Sequence, residues 1–253
     1  PSPAVVRLTQ TPLPAPTDTP SPTATAISLP TKTASAPPTA PPTIQPVYRP
    51  QATYTCPWTE QTKALPVYTY QVLNTLPHDP ASYTQGLIYR NGVLYEGSGL
   101  YGQSTLRQVA LESGNVEKMI ELPQQYFGEG ITELNGRLYQ LTWREGVGFV
   151  YDAETFEQLQ TFSYPFEGWG LTHDGARLIM SDGSPNLYFL NPESLQIVGQ
   201  VAVTAENIPV PRLNELEYVE GEVWANVYQT ACIARIDPAS GNVVGWIDIA
   251  GIL

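Results

Sequence analysis

From Val67 onward, the chain consists of short apolar or alternating runs separated by turn residues, and the spacing typical of an amphipathic helix is nearly absent. A turn-forming dipeptide divides each pair of runs, as at Asn91-Gly92, Asn135-Gly136, Asp174-Gly175 and Glu220-Gly221. A dipeptide of this kind between two strand-like runs is typical of a β-hairpin. The pattern therefore predicts an all-β chain of successive hairpins.

The hairpins also repeat at a nearly constant distance. Gln85, Glu129, Trp169 and Glu215 occupy the same place in four successive segments, at intervals of 44, 40 and 46 residues. A unit of about 40 residues with four short strands is typical of a β-propeller blade. Because the first strand of each blade lines the central channel, we expect these four positions to meet around one axis.

The spacing predicts a propeller over residues 67–253. Its four complete blades are expected at about residues 85–122, 129–163, 169–203 and 215–249. The strand at 67–75 precedes the first blade and has no partner in this scheme, so we assign it to a last blade whose other strands are missing. The expected fold is a five-bladed β-propeller, truncated within its last blade.

The N-terminal part of the chain has a different composition. Residues 1–50 are dominated by Pro, Thr, Ser and Ala, and such a segment buries too little apolar area to offset the entropy of ordering. We therefore expect residues 1–66 to form a disordered stalk and lead-in. Pro/Thr-rich stalks usually hold an extracellular domain away from a surface, which predicts an exported protein, extracellular or in the cell envelope. An inert tail is the alternative.

The net charge and the apolar runs of the chain narrow the classes of macromolecule that it could bind. The net charge of −12 argues against nucleic acids and anionic membranes, and no apolar run is long enough to span a bilayer. We expect a monomer.

The two cysteines, Cys56 and Cys232, either form one bridge or are two unrelated thiols, and their spacing alone does not decide between these alternatives.

Ordered motifs across residues 76–249 resemble the glutamine cyclotransferase family, the plant and bacterial glutaminyl-peptide cyclases. The motifs are Pro77-His78-Asp79-Pro80, Thr84-Gln85-Gly86-Leu87, Gly99-Leu100-Tyr101-Gly102-Gln103-Ser104, Phe127-Gly128-Glu129-Gly130, Gly168-Trp169-Gly170-Leu171, Ser181-Asp182-Gly183-Ser184, Asn214-Glu215-Leu216-Glu217, Glu222-Val223-Trp224-Ala225-Asn226 and Cys232-Ile233-Ala234-Arg235-Ile236. The resemblance implies a five-bladed propeller with aminoacyltransferase activity, which converts the N-terminal glutamine of peptides or proteins to pyroglutamate and releases ammonia.

The implied reaction needs a group that moves protons, because the substrate's α-amine must lose a proton and the departing nitrogen must gain one. One carboxyl group can do both if its pKa is raised toward neutrality. Phe127, Trp143 and Trp169 would surround Glu129 with apolar surface, and desolvation raises a carboxyl pKa. Glu129 is therefore the predicted general base and acid. The alternative is a structural carboxylate that only accepts hydrogen bonds from backbone amides around the channel.

The remaining predicted site residues bind substrate. They are Gln85, Asn214, Trp143, Trp169, Phe127, Tyr83 and Tyr228. The amides of Gln85 and Asn214 would hold the substrate amide and its oxyanion, although each could instead close a turn. Trp143 could equally be a core residue. Tyr83 and Tyr228 stand where the family usually has other aromatic residues.

We expect no required cofactor and no metal site, because two histidines are too few for a His-rich zinc site. A structural cation in the propeller channel is compatible with the fold. The family's last blade carries a Thr-Gly-Lys motif without a counterpart here, which leaves the activity of this chain open. The alternatives are a non-catalytic propeller that binds peptides or glycans and a metal-dependent lactonase-type propeller. Trp169, at a position where that propeller needs a ligand, argues against the second.

Overall fold

The structure is a computed structural model, and it describes residues 55–90 and 92–252. The predictions for residues 1–54, including most of the stalk, lie outside the described residues, as does Asn91 of the first turn dipeptide. Within the described ranges there is one helix, α1 (Trp58–Gln61), and no helix there has the length and apolar character needed to cross a bilayer. All other regular elements are strands.

Four blades of four antiparallel strands follow one another along the chain, and within each blade these four strands pair in sequence order; the sheet of the fourth blade carries a fifth strand, β1 (Val67–Thr69). Their strands are β2 (Thr84–Arg90), β3 (Val93–Ser98), β4 (Thr105–Ala110) and β5 (Val116–Glu121) in blade 1; β6 (Gly128–Leu134), β7 (Arg137–Thr142), β8 (Val147–Asp152) and β9 (Gln158–Ser163) in blade 2; β10 (Leu171–His173), β11 (Leu178–Ser181), β12 (Asn186–Leu190) and β13 (Ile197–Ala202) in blade 3; and β16 (Leu213–Val219), β17 (Glu222–Val227), β18 (Cys232–Ile236) and β19 (Val243–Asp248) in blade 4. A small hairpin, β14 (Thr204–Ala205) and β15 (Ile208–Pro209), links blades 3 and 4.

The first strands of the blades contact one another in the order β2, β6, β10, β16. Apolar side chains fill the spaces between neighbouring sheets, with Ile131, Leu138 and Leu106 between blades 1 and 2. The predicted all-β, propeller-like arrangement is therefore confirmed, and the described part of the chain forms four blades.

Glycines allow the inner strands to lie unusually close together. A Cβ atom added at Gly130 would come within 2.5 Å of the Trp169 carbonyl oxygen, and one at Gly86 within 2.6 Å of the Ile131 nitrogen. Only a residue without a side chain permits backbones to approach this closely. The repeated glycines therefore bring the starts of successive inner strands to one place.

The strand before blade 1 corrects one prediction. Only Val67–Thr69 forms a strand, β1, which pairs in parallel with β19 at the outer edge of blade 4, and residues 70–79 have no regular secondary structure. The assignment of 67–75 to a separate last blade is wrong. The segment is drawn to blade 4 because Trp246 donates its backbone N–H to the Pro66 carbonyl oxygen at 2.9 Å, and because the Arg235 guanidinium lies over the Tyr68 ring.

Cys56 and Cys232 form a disulfide, with their Cα atoms 4.8 Å apart. The bridge alternative is therefore correct. Trp58, two residues after Cys56, stacks on Trp246 with 5.3 Å between ring centroids, and Trp246 donates its Nε1–H to the Thr62 hydroxyl at 2.8 Å. The lead-in is thus part of the hydrophobic core of blade 4.

Candidate active site

The starts of the inner strands surround a cavity of about 280 Å³. It is lined by Tyr83, Gln85, Leu100, Phe127, Glu129, Trp143, Trp169, Asn214 and Tyr228. Every site residue predicted from the sequence lies in this lining, and Leu100 is the one addition. The fourth repeat position differs in detail, because Asn214 faces the cavity and Glu215 does not line it.

β-Bulges point the polar side chains into the cavity. The pairing register shifts between Thr84 and Gly86 in blade 1, between Gly128 and Ile131 in blade 2, and between Leu213 and Leu216 in blade 4. Each bulge contains or borders one cavity residue: Gln85, Glu129 or Asn214. A bulge adds a residue to one strand and redirects its side chain. A β-bulge in each of these inner strands therefore accompanies the side chain that faces the cavity.

Aromatic rings form the walls. The Phe127 ring lies in the centre of one wall, 5.5 Å from the Trp143 ring and 6.4 Å from the Tyr83 ring between centroids. Trp169 and Tyr228 form the other wall, with centroids 5.6 Å apart. These residues lie just before an inner strand or just after the second strand of a blade, which in an antiparallel pair is the same end of the sheet.

Among the residues that the structure describes, Glu129 contributes the only carboxyl group to the cavity lining. It is 7% exposed, and no group of the described residues donates a hydrogen bond to its carboxyl oxygens. Desolvation, followed by the negative charges of Glu167 and Glu145, raises the pKa of Glu129 to about 9. A carboxylate held by backbone amides would have a lowered pKa, so this environment does not fit the structural alternative.

The amide side chains of Gln85 and Asn214 make no hydrogen bond within the part of the chain that the structure describes, whereas the Asn214 backbone carbonyl accepts one from the Ser181 hydroxyl at 2.7 Å. Both amides therefore keep their donors and acceptors for a ligand. This differs from the turn-closing alternative, in which the side chain would bond the local backbone.

Glu167 was not predicted as a site residue. It accepts hydrogen bonds from the indole Nε1–H of Trp143 at 2.7 Å and of Trp169 at 3.0 Å. A second carboxylate, Glu145, accepts from the Tyr101 hydroxyl at 2.8 Å. The only sequence signal was the position of Glu167 two residues before Trp169, since its contact with Trp143 of the preceding blade depends on the folded chain.

The described residues contain no group of three or more His, Cys, Asp or Glu side chains placed to hold a metal ion. His78 lies away from the cavity lining, where its Nε2 is 2.8 Å from a Glu96 carboxyl oxygen. Glu96 also accepts from the hydroxyls of Ser82 and Thr84 at 2.6 Å each. These contacts with the buried Glu96 attach the segment before β2 to blade 1.

Comparison with known proteins identifies the family. A family model described as glutamine cyclotransferase matches residues 48–253. The chain belongs to the glutamine cyclotransferase family. The resemblance inferred from the motifs is therefore confirmed.

Two relatives support the same family assignment. The chain is 44% identical over 179 residues to a glutaminyl-peptide cyclotransferase of Arabidopsis thaliana, an alignment that covers 70% of this chain and 56% of the relative. The chain thus spans little more than half of that protein's length. The crystal structure of Myxococcus xanthus glutaminyl cyclase matches with a TM-score of 0.69 and 37% identity, over 73% of this chain and 78% of that one.

A more distant match concerns the fold only. A protein of unknown function from Bacteroides caccae superposes with a TM-score of 0.52 at 17% identity, over 70% of each chain. At this identity the likeness shows that the propeller-like arrangement is shared. It carries no information on the chemistry of this chain.

Proposed function

We propose that this protein is a glutaminyl-peptide cyclotransferase that converts the N-terminal glutamine of peptides or proteins to pyroglutamate and releases ammonia. One observation carries the proposal: the carboxyl group of Glu129 is buried, has no hydrogen-bond partner among the described residues, and faces a small aromatic cavity. The two unpaired amides of Gln85 and Asn214 line the same cavity. A neutral, amide-bearing side chain suits such a pocket, which has few charges and convergent polar groups.

The raised pKa of Glu129 matches the first step. A peptide α-amine normally has a pKa of about 7.7–8.0, which lies below the value of about 9 at Glu129. The positive charge of the bound α-ammonium favours the ionised form of Glu129. The carboxylate takes a proton from the ammonium, and the amine becomes a neutral nucleophile. Its lone pair attacks the γ-carboxamide carbon of the same residue and forms the five-membered ring.

The same carboxyl group completes the reaction. The protonated Glu129 gives its proton to the departing nitrogen, the bond from the γ-carbon to that nitrogen breaks, and ammonia leaves. The carboxylate then takes the surplus proton from the new ring nitrogen and passes it to the departing ammonia or to solvent, which returns Glu129 to its starting state. Amide N–H groups of Gln85 or Asn214 stabilise the negative charge that develops on the γ-oxygen, a contribution worth about 10²–10³ in rate for one such donor.

The test is ammonia release from a peptide that begins with glutamine, with an N-acetylated copy of the peptide as the substrate control, because acetylation removes the nucleophile. We expect Glu129→Gln to lower kcat by about 10² or more, the usual contribution of general acid–base catalysis. Glu112→Gln, at an exposed turn position of blade 1, is the matched control and should retain the wild-type rate.

Two outcomes would contradict the proposal. Equal rates for wild type and Glu129→Gln would remove this carboxyl group from the mechanism. Saturable binding of the glutamine peptide by wild type without ammonia release would instead identify a non-catalytic binding propeller.

We also propose a fifth blade, as the family resemblance implies. Leu87 and Tyr89 on the β2 strand of blade 1 are 41% and 62% exposed, whereas β6, the inner strand of blade 2, is buried along its whole length between two neighbours. An additional blade would cover the blade 1 residues in the same way. An experimental structure in which a fifth sheet covers Leu87 and Tyr89 would support this proposal, and one in which both side chains face solvent would contradict it.

Export, a monomeric state, the absence of a required cofactor and a structural cation in the channel remain proposals based on the sequence. Cell fractionation tests the first and size-exclusion chromatography the second. Activity after dialysis against a chelator tests the third, and elemental analysis of the purified protein tests the fourth.

A further inference from the structure

One carboxylate oxygen of Glu167 connects two walls of the cavity. It accepts from the Nε1–H of Trp143 at 2.7 Å and from the Nε1–H of Trp169 at 3.0 Å. Trp143 follows β7 of blade 2, and Trp169 precedes β10 of blade 3. A single side chain therefore sets the relative orientation of two indole rings that belong to different blades.

Hydrogen bonds fix the backbone at Trp143 and Trp169, so that the orientation of each ring depends on its side-chain contacts. The Trp143 backbone N–H bonds the Phe127 carbonyl oxygen at 2.9 Å, and the Trp169 carbonyl oxygen accepts from the Gly130 N–H at 2.8 Å. These bonds place the Cα atoms but leave the side-chain torsions undetermined. Trp143 and Trp169 are only half-buried, so the surrounding packing does not enclose either ring completely.

Arg144 adds a second restraint on the same assembly. Its guanidinium lies 3.7 Å from the centroid of the Trp143 ring, within the range of a cation–π contact, and its Nε is 3.4 Å from a Glu167 carboxyl oxygen. The Trp143 ring is thus held through its N–H and through one face. Because both indole N–H groups are bonded to Glu167, the rings offer carbon surface rather than donors to the cavity.

We propose that Glu167 is a positioning residue, which holds the Trp143 and Trp169 rings at the spacing needed to grip the glutamine side chain of the substrate. This inference rests on the proposed cyclotransferase function. The simplest rival explanation is a surface carboxylate that only satisfies two indole N–H groups, with no effect on the reaction. The two explanations differ in what they predict for substitutions that keep or remove the shared acceptor.

Two substitutions distinguish the effect of the Glu167 hydrogen-bond acceptor from the effect of its negative charge. In Glu167→Gln the side-chain carbonyl oxygen can still accept from both indoles, whereas Glu167→Ala removes the acceptor altogether. We expect Glu167→Ala to raise KM for the glutamine peptide about tenfold or more, the scale of a lost hydrogen bond to a charged group. We expect Glu167→Gln to keep KM within about twofold of wild type.

The Gln variant should also change the pH profile. The Glu167 charge is one of the causes of the raised pKa of Glu129, together with desolvation and Glu145. The other ionisable groups around Glu129 are Glu215, Tyr164 and, beside Glu167, Arg144, and these stay in place. The pH profile of kcat for Glu167→Gln should therefore shift toward lower pH, while its KM remains near wild type.

The controls are Glu157→Ala, which deletes an exposed carboxylate from the turn before β9, at the other end of that strand from Glu167, and acrylamide quenching of tryptophan fluorescence. Glu157→Ala should leave KM, kcat and quenching unchanged. Glu167→Ala should be quenched more strongly than wild type, and Glu167→Gln should resemble wild type. Because Glu167 is 40% exposed at its side chain, its loss should leave the fold intact, as a thermal melt checks.

The outcomes distinguish this inference from the proposed function. If wild type releases ammonia and Glu167→Ala has wild-type KM and quenching, the positioning role is wrong and the cyclotransferase function stands. If wild type releases no ammonia, the proposed function fails, and the positioning role is then judged by quenching and by peptide affinity. Unchanged affinity in Glu167→Ala would overturn it in that case as well.

Discussion

At the scale of single residues, the ionisation of Glu129 connects folding with chemistry. Burial favours the uncharged acid, and the neighbouring carboxylates Glu167 and Glu145 favour it further, so the folded pKa is about 9 against an ordinary value of 4.5. The group therefore stabilises the fold fully below pH 4.5, and this contribution is lost as the pH rises through 9. The protein keeps a destabilising group at the position that the proposed reaction requires.

Glu129→Gln should consequently stabilise the protein at alkaline pH although it lowers kcat. Glutamine has a similar shape and does not ionise, so the wild-type loss, which approaches about 1.4 kcal/mol per pH unit, should be smaller in the variant. Urea unfolding of both proteins at about pH 5, 7 and 9 measures how steeply the free energy of unfolding falls with pH in each.

Some pH dependence should remain in Glu129→Gln, because burial also raises the pKa of Glu215, and raises that of Glu217 to about 7. Parallel stability curves for wild type and variant would show that the carboxyl group of Glu129 is not buried as described.

At the scale of elements, close packing of the inner strands decides where the site residues meet. The start of β6 lies against the segment before β10, with Gly130 facing backbone atoms of Trp169, Gly170 and Leu171. Backbone atoms cannot move aside as the end of a flexible side chain can. The distance between Glu129 and Trp169 therefore depends on the absence of a side chain at Gly130.

Gly130→Ala should destabilise the protein by about 1–3 kcal/mol, the usual cost of forcing a methyl group into a packed region, and should reduce activity. Gly199→Ala is the control, because Gly199 has no left-handed backbone conformation and a Cβ there would lie 3.7 Å from its nearest neighbour, Phe189. That substitution should be neutral or slightly stabilising. Thermal melts and ammonia release compare the two, and similar behaviour would refute the close-packing argument.

At the scale of the whole molecule, the disulfide joins two positions that are 176 residues apart in the sequence. It holds the segment before the propeller against blade 4, where Trp58 stacks on Trp246. A cross-link between distant positions restricts the unfolded chain most strongly. The lead-in is therefore covalently bound to blade 4, and β1 extends the outer edge of that blade.

The double variant Cys56→Ser/Cys232→Ser should be less stable by about 2–5 kcal/mol. Neither cysteine lines the cavity, so activity well below the melting temperature should be retained. Reducing agent should lower the melting temperature of wild type to that of the variant and leave the variant unchanged. If reduction leaves the melting temperature of wild type unchanged, the disulfide does not stabilise the fold as described.

The sequence alone predicted the family, the all-β fold and all the residues that line the cavity except Leu100. This was feasible because a repeat of about 40 residues places equivalent positions at equivalent points around one axis. Local signals such as turn dipeptides and glycines depend on neighbouring residues only. Gln85, Glu129 and Trp169 were found in this way although they are far apart in the chain, whereas the fourth repeat position is Glu215 and its neighbour Asn214 lines the cavity instead.

The tertiary structure decided the features that depend on which surfaces meet. The pairing of β1 with β19, the bond between Cys56 and Cys232, and the contact of Glu167 with the indoles of two blades each join segments that no periodicity relates. The pKa of Glu129 is of the same kind, because desolvation and nearby charge are sums over everything packed around a group. Repeats determine equivalent positions, whereas contacts between non-equivalent positions follow only from the packed molecule.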